Sequence, residues 1–507
     1  MLLRSLTLTV LTVLSFVGRA EASPLAASPS GFVRAQAGSG VKWHTWDEAT
    51  LAQARASGRS VYVFIGSPLS ELTRATLAQT FGSEKTVAWL NENFFCIFVD
   101  GDAQPDIAAL GQHFINSVKQ LRGQPVHLWL TPDRFQPYDG ANYLPPSEEW
   151  GKPGFLKAAR AALDTWHLDP ARARALAAEA LDMMRLPSVD TDVPLDLEAR
   201  LAAATRAWVA AADPVHGGFG SAPKLPEPEL IRFLLARGGE ARDVAIKAAR
   251  ALVSGALRDP VGGGFYRRCI DEAWKEPYFQ KNLPDQARLA LALFEAADSA
   301  KDDRLRAAGI GALDFALKEL RNPDGTFAAA LDGTLKEHPD PARRPEFVKV
   351  GSARLAAQAL LAAALQRSGE ARLMTQGSAL AEKLGLDVFR PSGVKRTIAG
   401  DTATDYVALA LAMRGVKAGA MATTLLDEAG RLYFDKTTGV YLAVPAQLPP
   451  GIAARVPLSG ETPSVEVLAL LAGVDAKTAD LIRRNLMHQI EYDEQPPGDI
   501  LLGLSRK

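Results

Sequence analysis

Cysteine is almost absent: two residues, Cys96 and Cys269, stand in 507. So few thiols exclude a disulfide framework and a cysteine-built metal cluster. Both lie far apart in sequence, inside apolar or structured runs, and are expected to be buried free thiols. The seven histidines are scattered. No glycine-rich phosphate loop, HExxH helix or nucleophile elbow is present, so neither a metal nor a nucleotide cofactor is indicated. Charge of one sign is also lacking, since 57 basic residues nearly cancel 58 acidic ones. A nucleic-acid partner is therefore not expected, because phosphate binding needs a concentrated excess of Lys and Arg. After the first residues no stretch is long and apolar enough to cross a bilayer.

The first residues read differently from the rest. Arg4 gives a positive start, Leu6 to Val17 is an apolar run broken by Thr7, Thr9 and Thr12, and Ala20-Glu21-Ala22 ends it with small residues at alternate positions. Residues 1–22 therefore read as a secretory signal, with cleavage expected before Ser23 and a periplasmic or extracellular destination. Residues 23–40, rich in Ala, Ser, Pro and Gly, read as a flexible leader. With a hydrophobic fraction of 47%, the full chain has the composition of a globular protein, and its 507 residues are too many for one ordinary core.

Residues 41–167 carry an α/β order. Thr45 followed by Glu48 reads as a capping box opening a helix toward Gly58. The runs Ser60 to Ile65, Phe94 to Val99 and Val126 to Leu130 read as strands covered on both faces, with helical stretches between them. A further short strand near Gln136 to Tyr138 and a helix from Phe155 to Trp166 complete the unit. Residues 168–190 read as a linker. From 191 to 507 the pattern becomes helices rich in Ala and Leu, separated by turns, with β-like runs almost absent. About a dozen helices paired by short turns suggest helical hairpins in a closed or nearly closed α/α toroid. The turns Asp213 to Gly220, Asp259 to Tyr266, Asn322 to Phe327 and Lys436 to Tyr441 each place glycine before an aromatic residue. The fold class is thus multidomain, an α/β domain followed by an all-α domain.

Several short matches in order, including Trp43, Trp46, Ile65-Gly66, Leu90 to Phe94, Val99-Asp100, Leu130 to Asp133 and Tyr143 to Pro146, resemble the thioredoxin-like domain of the spermatogenesis-associated thioredoxin-domain proteins and their bacterial relatives. In that family a Cys-x-x-Cys follows the Ile-Gly pair. Here Ser70 and Thr73 occupy the cysteine positions. Disulfide exchange needs an attacking thiolate and a resolving thiol, so dithiol oxidoreductase activity is argued against. Ser70 is expected instead to cap the following helix. By the same resemblance Pro125 matches the thioredoxin-type cis-proline, expected here as a structural turn or a peptide-docking edge.

The resemblance continues into the second unit at Ala222 to Pro226, Gly262 to Phe265, Asp271 with Trp274, and Pro277 to Ala287. It implies a domain similar to six-hairpin glycosidases and sugar 2-epimerases. The family usually has His and Glu where Tyr278 and Gln280 stand, and Tyr where Pro284 stands, which removes groups able to exchange protons near neutral pH. Asp271 and Asp285 remain as candidate catalytic carboxylates. Trp274, Tyr278, Phe279, Gln280 and Lys281 are candidate ligand-binding residues, because an aromatic face beside fixed polar groups suits a sugar. The alternative is that Trp274 and Phe279 are core residues and Lys281 pairs with a carboxylate. Three functions compete: an exported non-redox protein binding a glycan or protein partner through its toroid, a glycosidase- or epimerase-type enzyme, and, by family label alone, an oxidoreductase. A pocket is expected at the ring mouth, lined by Asp271, Trp274, Tyr278, Lys281 and Asp285.

Overall fold

A computed structural model describes residues 23–185, 188, 190, 195–334, 345–390, 393–394, 402–416, 418–442, 465–490, 493 and 495–505. The signal reading of residues 1–22 lies outside the described residues. Segment 23–40 is packed rather than a flexible leader. It forms two tight turns around the short helix α1 (Gly31–Arg34), and Leu25 and Val33 are buried. The Phe32 ring lies 5.2 Å from Phe98, and the Ser30 hydroxyl donates to Asp100. A small-residue composition concealed three apolar anchors.

The first sheet follows from short runs that are buried along their length. β1 (Trp43–His44) leads to α2 (Glu48–Ser57), β2 (Val61–Gly66), α3 (Glu71–Ala75), α4 (Glu84–Asn93) and β3 (Phe95–Asp100). Then come α5 (Pro105–Lys119), β4 (Val126–Leu130), β5 (Pro137–Ala141), α6 (Phe155–Leu168) and α7 (Pro170–Met183). The strand order is β1-β3-β2-β4-β5. β1 and β2 run parallel to β3, whereas β4 runs antiparallel to β2 and β5 to β4. The α2 cap is Asp47, which accepts from Thr50 N; Thr45 donates its hydroxyl to Asp47 and caps nothing itself. Much of the segment read as a linker is α7, opened by Pro170 and capped by Asp169. Its buried Ala173, Ala177 and Ala180 form a stripe at helical spacing, and Met184 O accepts from His113 Nε2 at 2.8 Å. The first domain therefore runs on to Arg185.

The second domain alternates outer and inner helices. The outer set is α8 (Leu197–Ala210), α10 (Gly239–Ser254), α12 (Asp303–Phe315), α14 (Ala371–Val388), α16 (Gly419–Tyr433) and α18 (Ala476–Gln489). The inner set is α9 (Pro228–Arg237), α11 (Leu283–Ala300), α13 (Leu355–Gln366), α15 (Ala403–Gly415), α17 (Val465–Ala472) and α19 (Gly498–Leu504). Each inner helix packs on the next, and α19 closes the ring on α9. Gly498 makes the closure possible, because a Cβ there would strike Leu230. Buried residues run all around α15 and along most of α13, as expected of helices covered on every side. The four glycine-aromatic turns follow α8, α10, α12 and α16, so they cross the same end of the ring and lead into inner helices. This end also carries a short antiparallel sheet of β6 (Gln280–Asn282), β7 (Ala328–Asp332) and β8 (Val348–Ser352), which the helical pattern did not announce. Among the described residues no helix is long and apolar enough to cross a membrane.

Candidate functional site

The loop at the family's cysteine positions is a domain junction. Ser70 caps α3, its hydroxyl oxygen accepting from Thr73 N at 3.2 Å. Thr73 is buried. Pro125, also buried, follows a cis peptide bond and leads into β4. Leu69 O accepts from Gln280 Nε2 at 3.2 Å, and the same amide group donates to Asp332 Oδ2 at 2.8 Å. Arg74 donates to Asp332 and Thr334, and Tyr278 lies 3.5 Å from Glu71. Gln280, where a proton-exchanging residue is usual, thus joins two domains by hydrogen bonds. Neither cysteine replaces the missing pair. Both are buried and unpaired, and burial pushes each thiol up to about 12.

Beside this junction, Ser67 donates to Asp102 at 2.6 Å. Burial and the neighbouring Asp100 charge push the Asp102 carboxyl up to about 6, against the pull of Ser67 and Arg354. A carboxylate raised on folding costs stability as pH climbs from the unfolded value through the folded one. Asp102→Asn should therefore stabilise the protein at pH 8 by about 1–3 kcal/mol and change little below pH 4. Melting curves of both proteins across that range check the sign; a variant that gains nothing at pH 8 contradicts it.

The residues expected to line one pocket are not brought together. Asp271 folds into its own turn, accepting from Ala273, Lys275 and Glu276 N. Trp274 is 2% exposed, its indole N–H donates to Gly217 O, and the Lys224 ammonium lies 5.2 Å from its ring centroid. Gly218 carries φ +82° and has no room for a Cβ beneath that indole, which explains a glycine at this point. Lys281 is buried on Asp259 and Gly263 O, at 2.6 Å each, over the rings of Tyr266 and Phe315. The turn after α8 repeats the device, with Lys224 2.5 Å from Asp213. Phe279 packs edge-on against Tyr266. Trp274, Phe279 and Lys281 therefore take the core roles, whereas Asp271, Tyr278 and Asp285 are partly exposed.

Asp285 belongs to a different arrangement. At the start of α9 and α11, Glu229 holds Arg288 through two hydrogen bonds of 2.7 and 2.5 Å, and Asp285 meets the same guanidinium at 3.4 Å. Burial raises Asp285 above the ordinary carboxylate range despite Arg288 and Arg267. Burial acts on Glu229 too, but the Arg288 charge and hydrogen bonds, joined by the Arg232 charge, outweigh it and hold that carboxyl below the range. Glu227, on a positive-φ backbone, is raised by burial. Glu229 and Arg288 line a cavity of about 480 Å³ inside the ring, together with Arg232, Leu291, Leu360 and, at the C-terminal ends of α13 and α15, Arg367 and Arg414. Arg232 is paired to Glu295. Sequence reasoning missed these groups, although Arg232 and Arg288 carry a signal: Arg232 interrupts the apolar run Leu230 to Leu235 of α9, and Arg288 heads the apolar run Leu289 to Phe294 of α11.

These features define a class: a thioredoxin-fold domain without a cysteine pair, joined to a closed α/α ring. Residues 22–185 match the model of the Thioredox_DsbH family, described as a protein of unknown function, DUF255. Spermatogenesis-associated protein 20 of Mus musculus is 26% identical over 305 residues, 58% of this chain and 38% of that protein. The Homo sapiens protein of the same name is 25% identical over 319 residues, 60% of this chain and 40% of that protein. The match thus spans less than half the length of those relatives. Among solved structures, cellobiose 2-epimerase from Bacillus thermoamylovorans B4167 aligns with a TM-score of 0.45 and 11% identity, covering 61% of this chain and 99% of that chain. A sugar epimerase from a ruminal bacterium aligns with a TM-score of 0.45 and 14% identity, covering 60% and 97%.

Proposed function

We propose that this chain is an exported protein without dithiol redox activity that binds a glycan in the cavity of its helical ring. The carrying observation is the cavity itself, whose 480 Å³ falls within the range of about 300–1,000 Å³ usual for ligand sites. Its leucine walls suit the apolar faces of sugar rings, and Arg232, Arg288 and Glu229, already fixed in ion pairs, offer oriented groups to hydroxyls. A protein partner at the redox-loop face is less favoured, since β6 and β7 engage that loop. Calorimetric titration with a panel of neutral and acidic oligosaccharides tests the reading. Binding should occur in the parent and vanish in Leu360→Trp, which fills the cavity; a panel without a ligand refutes it.

The opposite shifts of Asp285 and Glu229 around Arg288 favour a second reading, a carbohydrate-active enzyme with Asp285 as acid. Sugar turnover abolished by Asp285→Asn, with binding retained, would support this; turnover that survives would end it. Export rests on the leader sequence. A cut before Ser23 leaves the buried anchors Leu25 and Val33 in the mature chain. Mass spectrometry of the exported protein should find its N-terminus at or near Ser23, and an intact Met1 contradicts export by cleavage.

A further inference from the structure

We propose that the ring ligand is an acidic saccharide whose oxyanion sits on Arg367 and Arg414; this rests on the glycan reading above. Four guanidiniums and one carboxylate line the cavity among the described residues. Two of the four are already neutralised, Arg288 by Glu229 and Arg232 by Glu295. The other two stand at the opposite end. Arg367 directly follows α13, Arg414 lies in the last turn of α15, and both are exposed where the cavity meets solvent. Arg414 donates to the backbone carbonyl of Gly473, and Arg367 has no side-chain hydrogen bond or ion pair among the described residues. The cavity therefore has a balanced inner end and a positive outer end.

A basic residue at a helix C-terminus is favoured by the helix dipole alone. That accounts for charge near these two termini, but not for two uncompensated guanidiniums opening on one cavity with leucine walls. A guanidinium is planar and presents paired N–H donors matched to carboxylate or phosphate oxygens, and beside apolar walls its attraction for an anion exceeds that in open water. A neutral sugar would leave this positive end unanswered. An acidic one satisfies both ends: its oxyanion on Arg367 and Arg414, its ring faces along Leu291 and Leu360, and its hydroxyls toward Arg288 and Glu229.

Calorimetry with three probes tests this: a uronate disaccharide, glucose 1-phosphate and neutral cellobiose. At least one acidic probe should bind about tenfold or more tighter than cellobiose, and added salt should weaken only the acidic probe. The two acidic arms tell whether the oxyanion is a carboxylate or a phosphate. Arg367→Gln and Arg414→Gln should each weaken the acidic probe about tenfold, with the Lys variants retaining part of the affinity and cellobiose unaffected. Because both side chains are exposed, melting curves should stay at the parent value, and a Gln variant that melts with the parent yet binds the acidic probe undiminished overturns the proposal. Equal affinity for acidic and neutral probes, lost in Leu360→Trp, overturns the anionic site and leaves the glycan reading standing. If no saccharide of either kind binds, both fall.

Discussion

Trp274→Ala should lower the stability of the helical domain by about 3–5 kcal/mol, the cost of removing a large buried aromatic. The indole is fully enclosed, packed on Gly218 and Gly255, with its N–H satisfied by Gly217 O and Lys224 over its face. Its removal leaves a void between two glycine turns that cannot close, because their backbones are held by their own hydrogen bonds, Gly217 N to Asp213 O and Gly255 N to Ala251 O. Urea titration followed by circular dichroism measures the loss. A residue that stacked on a ligand would instead give a variant of nearly parental stability and weakened binding, and that result would return Trp274 to the site.

Lys281→Ala should cost a similar amount, about 3–5 kcal/mol, for a different reason. The truncation strands the Asp259 carboxylate, whose side chain is 3% exposed, without its ammonium partner. Burial opposes ionisation of Asp259, and the Lys281 hydrogen bond and charge together with the Gly262 and Val261 amides outweigh it, holding that carboxyl below its usual range. Asp259 also organises the turn by accepting from Val261 and Gly262 N, so the damage extends to the entry of α11. The double variant Asp259→Asn with Lys281→Met should recover part of the loss, since paired residues in contact are not additive. A single variant as stable as the parent would mean that the ion pair is not a structural element.

The fold was largely legible because its signals are local. Apolar runs bounded by turn residues marked β2, β3 and β4, and the recurring glycine-aromatic turns marked the outer-to-inner connections of the ring. Three features escaped for physical reasons. The leader's few apolar anchors were diluted by Ala, Ser and Pro, and an alanine stripe such as that of α7 has little hydrophobic contrast. β6, β7 and β8 are short strands, and the pairing of β6 with β7, as at Lys281 with Leu331, joins residues on either side of α11 and α12.

The site was less legible. Asp271, Trp274 and Lys281 cluster in sequence because one Pro- and Gly-punctuated segment winds through the core, and nearness along the chain did not make them neighbours of a common space. Arg74 and Asp332, 258 positions apart, meet only through the domain arrangement. The cavity arginines come from three inner helices and the residue that follows a fourth, and nothing in any one of those segments reports the others. Ser70 as a helix cap was readable, since capping needs only the residues that follow it.

We propose that this thioredoxin-fold domain carries out no thiol chemistry and serves as a domain joined to a ring. Insulin disulfide reduction by the purified mature protein tests it most directly. The expected result is precipitation no faster than with reductant alone, because Ser70 and Thr73 offer no thiol and burial keeps Cys96 and Cys269 protonated. Reduction at thioredoxin-like rates that persists in Cys96→Ala would contradict it.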